Sequence, residues 1–361
     1  MTAPLRVGFI GCGTITQNGH LRALRAVPEV EVVALADPDA VHLHATGDRF
    51  GIARRHADAT ALLAADGVDA VAVCIPAAAH VDVALAALEA GKHLFLEKPI
   101  ALSLADGDRL IAAARRSSLT VQMGFNLRWH RLVRAAREEI RSGGLGRIVA
   151  VRSAFTSGVR FHDDAPPWRR RRGTGGGELF ESAVHHFDLW RFLLDTEIEE
   201  VFATSHSNDW DDETAAITAR LANGTLASAV FSVATAGLSD LEFYGEKARL
   251  ALSLIHFDGF ELAPSAAPTW SLRSRLGGFV RALESLPRAV LRARHGGDFI
   301  GSYGFEWRHF ADCVRRGVPA ACTLDDGRHA LQAVLAAVQA ASHGRAVRVA
   351  GVSDASGNGP R

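Results

Sequence analysis

The segment LRVGFIGCGTITQNGH, Leu5 to His20, passes from a continuous apolar run through two closely spaced glycines into a helix-like stretch. Gly11 and Gly13 stand at this strand-to-helix turn. The absence of side chains there lets backbone N–H groups approach a pyrophosphate at the helix N-terminus, with Thr14 and Ile15 opening the helix beside it. Thr16 occupies the position of the third glycine in the GxGxxG pattern, so the motif alone also fits an ordinary tight βα turn. The next apolar strand, EVVALAD, ends on Asp37, where a carboxylate can accept hydrogen bonds from an adenosine ribose. The sequence continues DPDA, with no arginine for a 2′-phosphate. NAD is therefore expected over NADP.

Working outward, the first third alternates β-branched runs with amphipathic segments: VDAVAVCI, HLFLE and TVQMGF follow helix-like stretches in turn. Continuous apolar strands between helices predict a doubly wound parallel sheet covered on both faces. After Phe125 the pattern changes to consecutive strand-like runs: IVAVRSAFTS, EEVFATSHS, TAAITARL, GTLASAVFSVAT, DLEFYGE and ARLALSLI. These predict an α+β unit with a large, mostly antiparallel sheet packed on one side by helices. The expected α/β organisation is a Rossmann domain over 1–125, a second domain over 126–350 and a polar tail over 351–361. Residues 263–298, rich in arginine, read as an insertion.

Forty basic and 40 acidic residues leave no net charge, which gives no footprint for nucleic acid or an anionic membrane. No apolar run reaches the roughly 20 residues that span a bilayer. The N-terminus shows no basic start or hydrophobic core of a secretory signal. Cys12, Cys74, Cys313 and Cys322 are scattered, without a metal-knuckle or disulfide spacing. A cytoplasmic protein with reduced thiols is expected.

Lys92, Lys98 and Lys247 are the only lysines among 40 basic residues. Lys98 closes the strand HLFLEKP after Glu97, at the carboxyl edge where such sheets bind ligands. It is either a solvated loop residue or a partly desolvated lysine that stabilises an alkoxide, which arginine does less readily. Ile75 and Pro76 turn the chain at the same edge. His80 opens the following helix, either as a packing and capping residue or as a cofactor contact. Further on, GGGELFESAVHHFDL places Glu181, His185, His186 and Asp188 within an apolar run. Taken alone this is a metal site, a catalytic face or a core helix.

GCGTITQNGH, IPAAAH, AGKHLFLEKP, GFNLR and GGGELFESAVHHFDL, in this order, resemble the Gfo/Idh/MocA oxidoreductases, and the likeness runs through the last helices. The resemblance implies a tightly held nicotinamide cofactor contacted by Gly11, Gly13, Thr14, Ile15, Thr16, Asp37, Ile75, Pro76, His80, Glu97, Lys98 and Asn126. It implies a cis bond before Pro99 and a homodimer or homotetramer formed through the second sheet. It also implies a sugar or polyol substrate bounded by Lys98, Arg128, Trp168, Arg169, Glu181 and His185. The family's Asp-x-x-x-His pair corresponds here to Glu181 and His185, four residues apart on one helix face. Lys98, Glu181 and His185 are then the catalytic group: His185 moves the hydroxyl proton, Lys98 stabilises the oxyanion, and Glu181 binds a neighbouring hydroxyl or orients the imidazole. Asp188 is an alternative orienter or a surface acid, and His186 is structural.

The resemblance leaves two alternatives within the family: an NAD-dependent glycosidase that works by transient oxidation, and a non-catalytic NAD-binding regulator. No metal is expected, because HExxH is absent. Tyr244 and Lys247 have YxxK rather than the YxxxK spacing of short-chain dehydrogenases.

Overall fold

In the first third, mostly apolar strands alternate with helices, three of which begin on a side-chain cap. Asp39 accepts hydrogen bonds from the Val41 and His42 N–H groups, and Ser103 accepts one from Asp106. The computed structural model describes residues 3–158, 165–255, 259–265 and 297–352. Most of the expected insertion at 263–298 and nearly all of the polar tail lie outside these residues.

Strands β1 (Leu5–Ile10), β2 (Val30–Ala36), β3 (Arg55–His56), β4 (Ala70–Val73), β5 (His93–Glu97) and β6 (Val121–Gly124) form one parallel sheet in the order β3-β2-β1-β4-β5-β6. The order reverses direction between β1 and β4, and this opens a crevice at the carboxyl ends of the strands. Helices α1 (Leu21–Leu24), α2 (Ala40–Phe50), α3 (Ala59–Leu63), α4 (His80–Glu89) and α5 (Leu104–Arg116) are the crossovers. The doubly wound α/β fold expected from the sequence is present.

The second sheet has eight strands among the described residues, in the order β13-β12-β11-β7-β10-β9-β8-β14. They are β7 (Ile148–Thr156), β8 (Ile198–His206), β9 (Thr214–Leu221), β10 (Leu226–Ser232), β11 (Leu238–Gly245), β12 (Ala248–Ser253), β13 (Gly259–Pro264) and β14 (Val347–Arg348). All neighbours are antiparallel except β7 and β10. Strands β13 and β14 are not legible in the sequence: one adjoins the insertion and the other is two residues long. Alternate residues of β8 to β10 are buried, while Phe202, Leu226 and Val230 stand on the exposed face. Helices α6 (Arg131–Arg141) and α7 (Val184–Leu194) follow in chain order, and α7 anchors through Trp190, whose indole N–H donates to Ser153 Oγ at 2.8 Å.

Helices α8 (Gly297–Arg316) and α9 (Leu324–His343) diverge. Leu331 and Val334 of α9 join a continuous cluster that runs from one face of the first sheet to the second sheet. Helix α8, expected with the second unit, instead covers the first sheet. Its Trp307 and Phe310 are fully buried against Phe9 and Phe95, and Trp307 stacks on Phe95 at 4.5 Å between ring centroids. The sequence conceals this because the apolar face of α8 fits either sheet. Trp307→Ala should cost about 3–5 kcal/mol, the usual range for removing a buried aromatic. Urea denaturation tests it; a loss under about 1 kcal/mol would show that α8 contributes little to the first sheet's stability.

Candidate active site

At the end of β1 the backbone turns so tightly that a side chain is excluded. Gly11 has φ +99°, and a Cβ there would lie 2.2 Å from the Cys74 carbonyl oxygen. A Cβ on Gly13 would meet nothing within 4 Å. Thr16, in place of the third glycine, is fully buried and donates its hydroxyl to the Gly11 carbonyl at 2.7 Å. It braces the turn rather than facing a ligand, whereas Thr14 is exposed at the helix start. The two Asp37 oxygens accept from Cys12 N–H at 2.7 Å and Asp39 N–H at 2.8 Å. The carboxylate is thereby fixed at the crevice, with lone pairs left for ribose hydroxyls. Free N–H groups, open space at Gly13 and a fixed acid at the second strand's end fit a dinucleotide.

Lys98 follows β5 and is joined to Pro99 by a cis peptide bond. Its ammonium donates to the Glu181 carbonyl at 3.0 Å and to Glu181 Oε2 at 3.4 Å, and Arg169 donates to the same oxygen at 3.2 Å. Expected site residues from both halves of the chain thus meet. The lysine side chain is 15% exposed, not a solvated loop residue. The Glu97 carboxylate is turned inward: Oε1 pairs with His20 Nε2 at 2.9 Å, and Oε2 accepts from Lys98 N–H at 3.0 Å. Trp307 donates in turn to His20 Nδ1 at 3.0 Å. Burial dictates this use, because a dry carboxylate takes the nearest donors. His80 is buried, with Nδ1 2.7 Å from the Pro99 carbonyl and Nε2 2.9 Å from that of Ile75. It staples two strand-end loops, the packing role that the sequence also allowed. Asn126 donates to Ser302 Oγ at 3.1 Å, which ties the turn after β6 to α8.

Glu181 lies in a wide π turn, Leu179–Ala183, that leads into α7, rather than on a regular α-helix. Burial acts to raise its carboxyl, but Lys98 and Arg169 outweigh burial and hold it below its ordinary value. His185 packs edge-on against Phe125 at 5.8 Å, with Nδ1 buried and unpartnered among the described residues. Burial, then the charge of Lys98, pushes its imidazole well below the usual range. His185 is therefore a neutral base at physiological pH. His186 faces the sheet instead, against Phe231 at 5.1 Å, and burial pushes it down to about 3.

Glu178, not singled out from the sequence, is 1% exposed, and its Oε1 has no partner among the described residues. Burial raises its carboxyl to about 8, despite Ser182, Arg169 and Lys98 nearby. The only signal in the sequence was an acid between a glycine and a leucine.

Arg128 differs from its expected place on the substrate. Its guanidinium is buried, donates to both oxygens of Asp188, and lies 3.0 Å from Asp326 Oδ1. Asp188, 1% exposed, is thus neither the orienter of His185 nor a surface acid. Arg128 and Asp188 clamp the site helix to the turn after β6, because a buried guanidinium requires carboxylates more than it requires solvent. The triple glycine also differs from a ligand-facing loop: a Cβ on Gly176 would lie 2.0 Å from the Arg169 carbonyl oxygen, and one on Gly175 2.5 Å from Ala77 Cβ. These glycines let the Pro167–Arg170 turn fold back to Glu181 in the π turn, while Gly175 meets Ala77 in the first half of the chain. Trp168 lies in that turn, where its carbonyl accepts from the Thr174 hydroxyl at 2.6 Å.

Among the described residues no helix is long and apolar enough to cross a membrane. Residues 5–125 match the model of an oxidoreductase family with an NAD-binding Rossmann fold, and residues 133–251 match the GFO/IDH/MocA C-terminal domain. The chain is 29% identical over 229 residues to myo-inositol 2-dehydrogenase of Thermotoga maritima, which spans 62% of this chain and 66% of that protein. It is 32% identical over 256 residues to dTDP-3,4-didehydro-2,6-dideoxy-alpha-D-glucose 3-reductase of Actinomadura kijaniata, covering 70% of this chain and 75% of the relative. The crystal structure of a probable dehydrogenase from Thermotoga maritima superposes with a TM-score of 0.76 at 25% identity, covering 96% of this chain and 99% of that one. Its sheet order, its glycine turn and the match of both its halves show that the chain belongs to the Gfo/Idh/MocA family of NAD-binding oxidoreductases.

Proposed function

We propose that the protein interconverts a secondary alcohol and a ketone on a sugar, inositol or related polyol. The observation that carries this reading is the convergence of Lys98 and Glu181, at 3.0 and 3.4 Å, beside a neutral, partly buried His185. Gly11, Gly13, Thr14, Ile15 and Asp37 hold NAD, which supplies the hydride acceptor when bound. His185 accepts the proton of the reacting hydroxyl; burial has already removed its own charge, so the ring nitrogen has a free lone pair. Lys98 holds the oxygen as negative charge develops on it, in a cleft dry enough to strengthen that contact. Glu181, kept ionised by its two cations, accepts from a neighbouring hydroxyl and fixes which carbon faces the cofactor. One methylene longer than aspartate, it reaches about 1.5 Å further. Arg128, through Asp188, positions the helix that carries His185. The exposed sheet face with Phe202, Leu226 and Val230 is the surface proposed for homo-oligomer formation.

Lys98→Ala and His185→Ala should each lower kcat by about 10²- to 10³-fold with NAD and a panel of polyols. Wild-type turnover by both variants would remove these roles. Asp37→Ala should weaken NAD more than NADP in a fluorescence titration of the reduced cofactors; equal weakening would refute the ribose contact.

Glu178 gives a pH dependence of stability. With its ordinary value at 4.5 and its folded value at about 8, the folded chain keeps a proton between these limits that the unfolded chain has lost. Stability therefore falls as pH rises through this window. Glu178→Gln removes that cost: its Tm should exceed wild type by a few degrees at pH 7.5, with the gap closing towards pH 5. A pH-independent difference in Tm would contradict it.

A further inference from the structure

The arginines of the segment before the triple glycine are not equivalent. Arg171 lies 3.3 Å from Asp211, and Arg172 3.5 Å from Asp212. Arg170 stands over the Trp210 ring at 5.9 Å. Arg169 alone turns to the candidate active site, where its counter-ion, Glu181, is already the acceptor for Lys98. Two cations thus share one carboxylate among the described residues. Of the other acids nearby, Glu97 is turned to His20 and the Lys98 N–H, and Glu178 is sealed from solvent and holds its proton to about pH 8, so neither pairs with the Arg169 guanidinium. His185 is neutral and adds no charge of either sign. The Arg169 side chain is 29% exposed, the most open of the three charged groups in this cluster, against 15% for Lys98 and 14% for Glu181. An unmatched, partly desolvated guanidinium is costly when empty and selects a planar anion when filled.

We infer that the site takes a polyhydroxylated acid, a sugar or polyol bearing a carboxylate, and that Arg169 receives that carboxylate while Lys98 and His185 act on the hydroxyl. The inference rests on the alcohol–ketone reading above and narrows its substrate class. Discrimination comes from Arg169 as a fork of N–H donors, so it appears mainly in KM.

The test uses the full-length protein with NAD and matched pairs that differ only in the acid: D-glucose against D-glucuronate and D-galactose against D-galacturonate, with myo-inositol as a further neutral polyol. In at least one pair the acid should have a kcat/KM about tenfold or more above its neutral partner. Arg169→Gln should bring that ratio to about one, chiefly by raising KM for the acid, and Arg169→Lys should keep part of the preference. A neutral partner preferred in every pair, or a ratio unchanged in Arg169→Gln, would overturn the inference while leaving the alcohol–ketone reading intact. A loss of NADH affinity in Arg169→Gln as large as the loss for the acid would overturn it too, because the charge would then serve the cofactor. Failure of every neutral and acidic compound to be oxidised would instead remove the alcohol–ketone reading, and this inference with it.

Discussion

The ammonium of Lys98 stands in a largely dry cleft because Glu181, from the other half of the molecule, offers it a carbonyl and a carboxylate. A buried charge without such acceptors costs several kcal/mol, so the pair constrains both halves at once. On the lysine side the constraint continues inward. The Lys98 N–H is held by Glu97, Glu97 by His20, and His20 by Trp307 on α8. On the glutamate side, the π turn and the glycines at 175–177 set the height of the carboxylate, and Asp188 bolts the helix to Arg128. Remove the Lys98–Glu181 contact and neither chain of supports has a reason to point into the cleft.

Charge in this cleft is arranged by burial more than by attraction. Two carboxyls three residues apart, Glu178 and Glu181, are driven in opposite directions: the first has no direct cation and keeps its proton, while the second touches two cations and loses it. The two adjacent histidines are both neutral, yet only His185 faces the site. A neutral base beside a fixed cation suits removal of a hydroxyl proton, since the base is vacant and the resulting oxyanion already has its partner.

The parallel sheet was legible because its signals are local: apolar runs, a Gly-x-Gly turn and Asp37 each follow from what a few adjacent residues must do. Lys98 was legible for a different reason, its rarity in an arginine-rich chain. What the sequence hid depends on direction in space. Arg128 sits two residues from Asn126, but nothing local shows that its guanidinium turns away to Asp188 and Asp326. Glu97 and His80 carry polar groups that a binding site and a buried brace use equally well. Thr16 illustrates the limit: it breaks the glycine pattern, and only the 2.7 Å bond to the Gly11 carbonyl shows that the break is structural. The return of α8 to the first sheet is a contact across most of the chain's length, invisible to any window.

That return has a consequence for synthesis. Phe9 and Phe95 leave the ribosome long before Trp307 and Phe310, which cover them. At about 5–20 residues per second, the interval is on the order of 10–40 s. During it the nascent first sheet carries an apolar face with no lid, and a face of that kind invites chaperones or a neighbouring nascent chain. The order of the chain therefore makes the N-terminal half dependent on a helix that emerges late, and truncation near residue 300 strips both sheets, since α9 and β14 are lost together with α8.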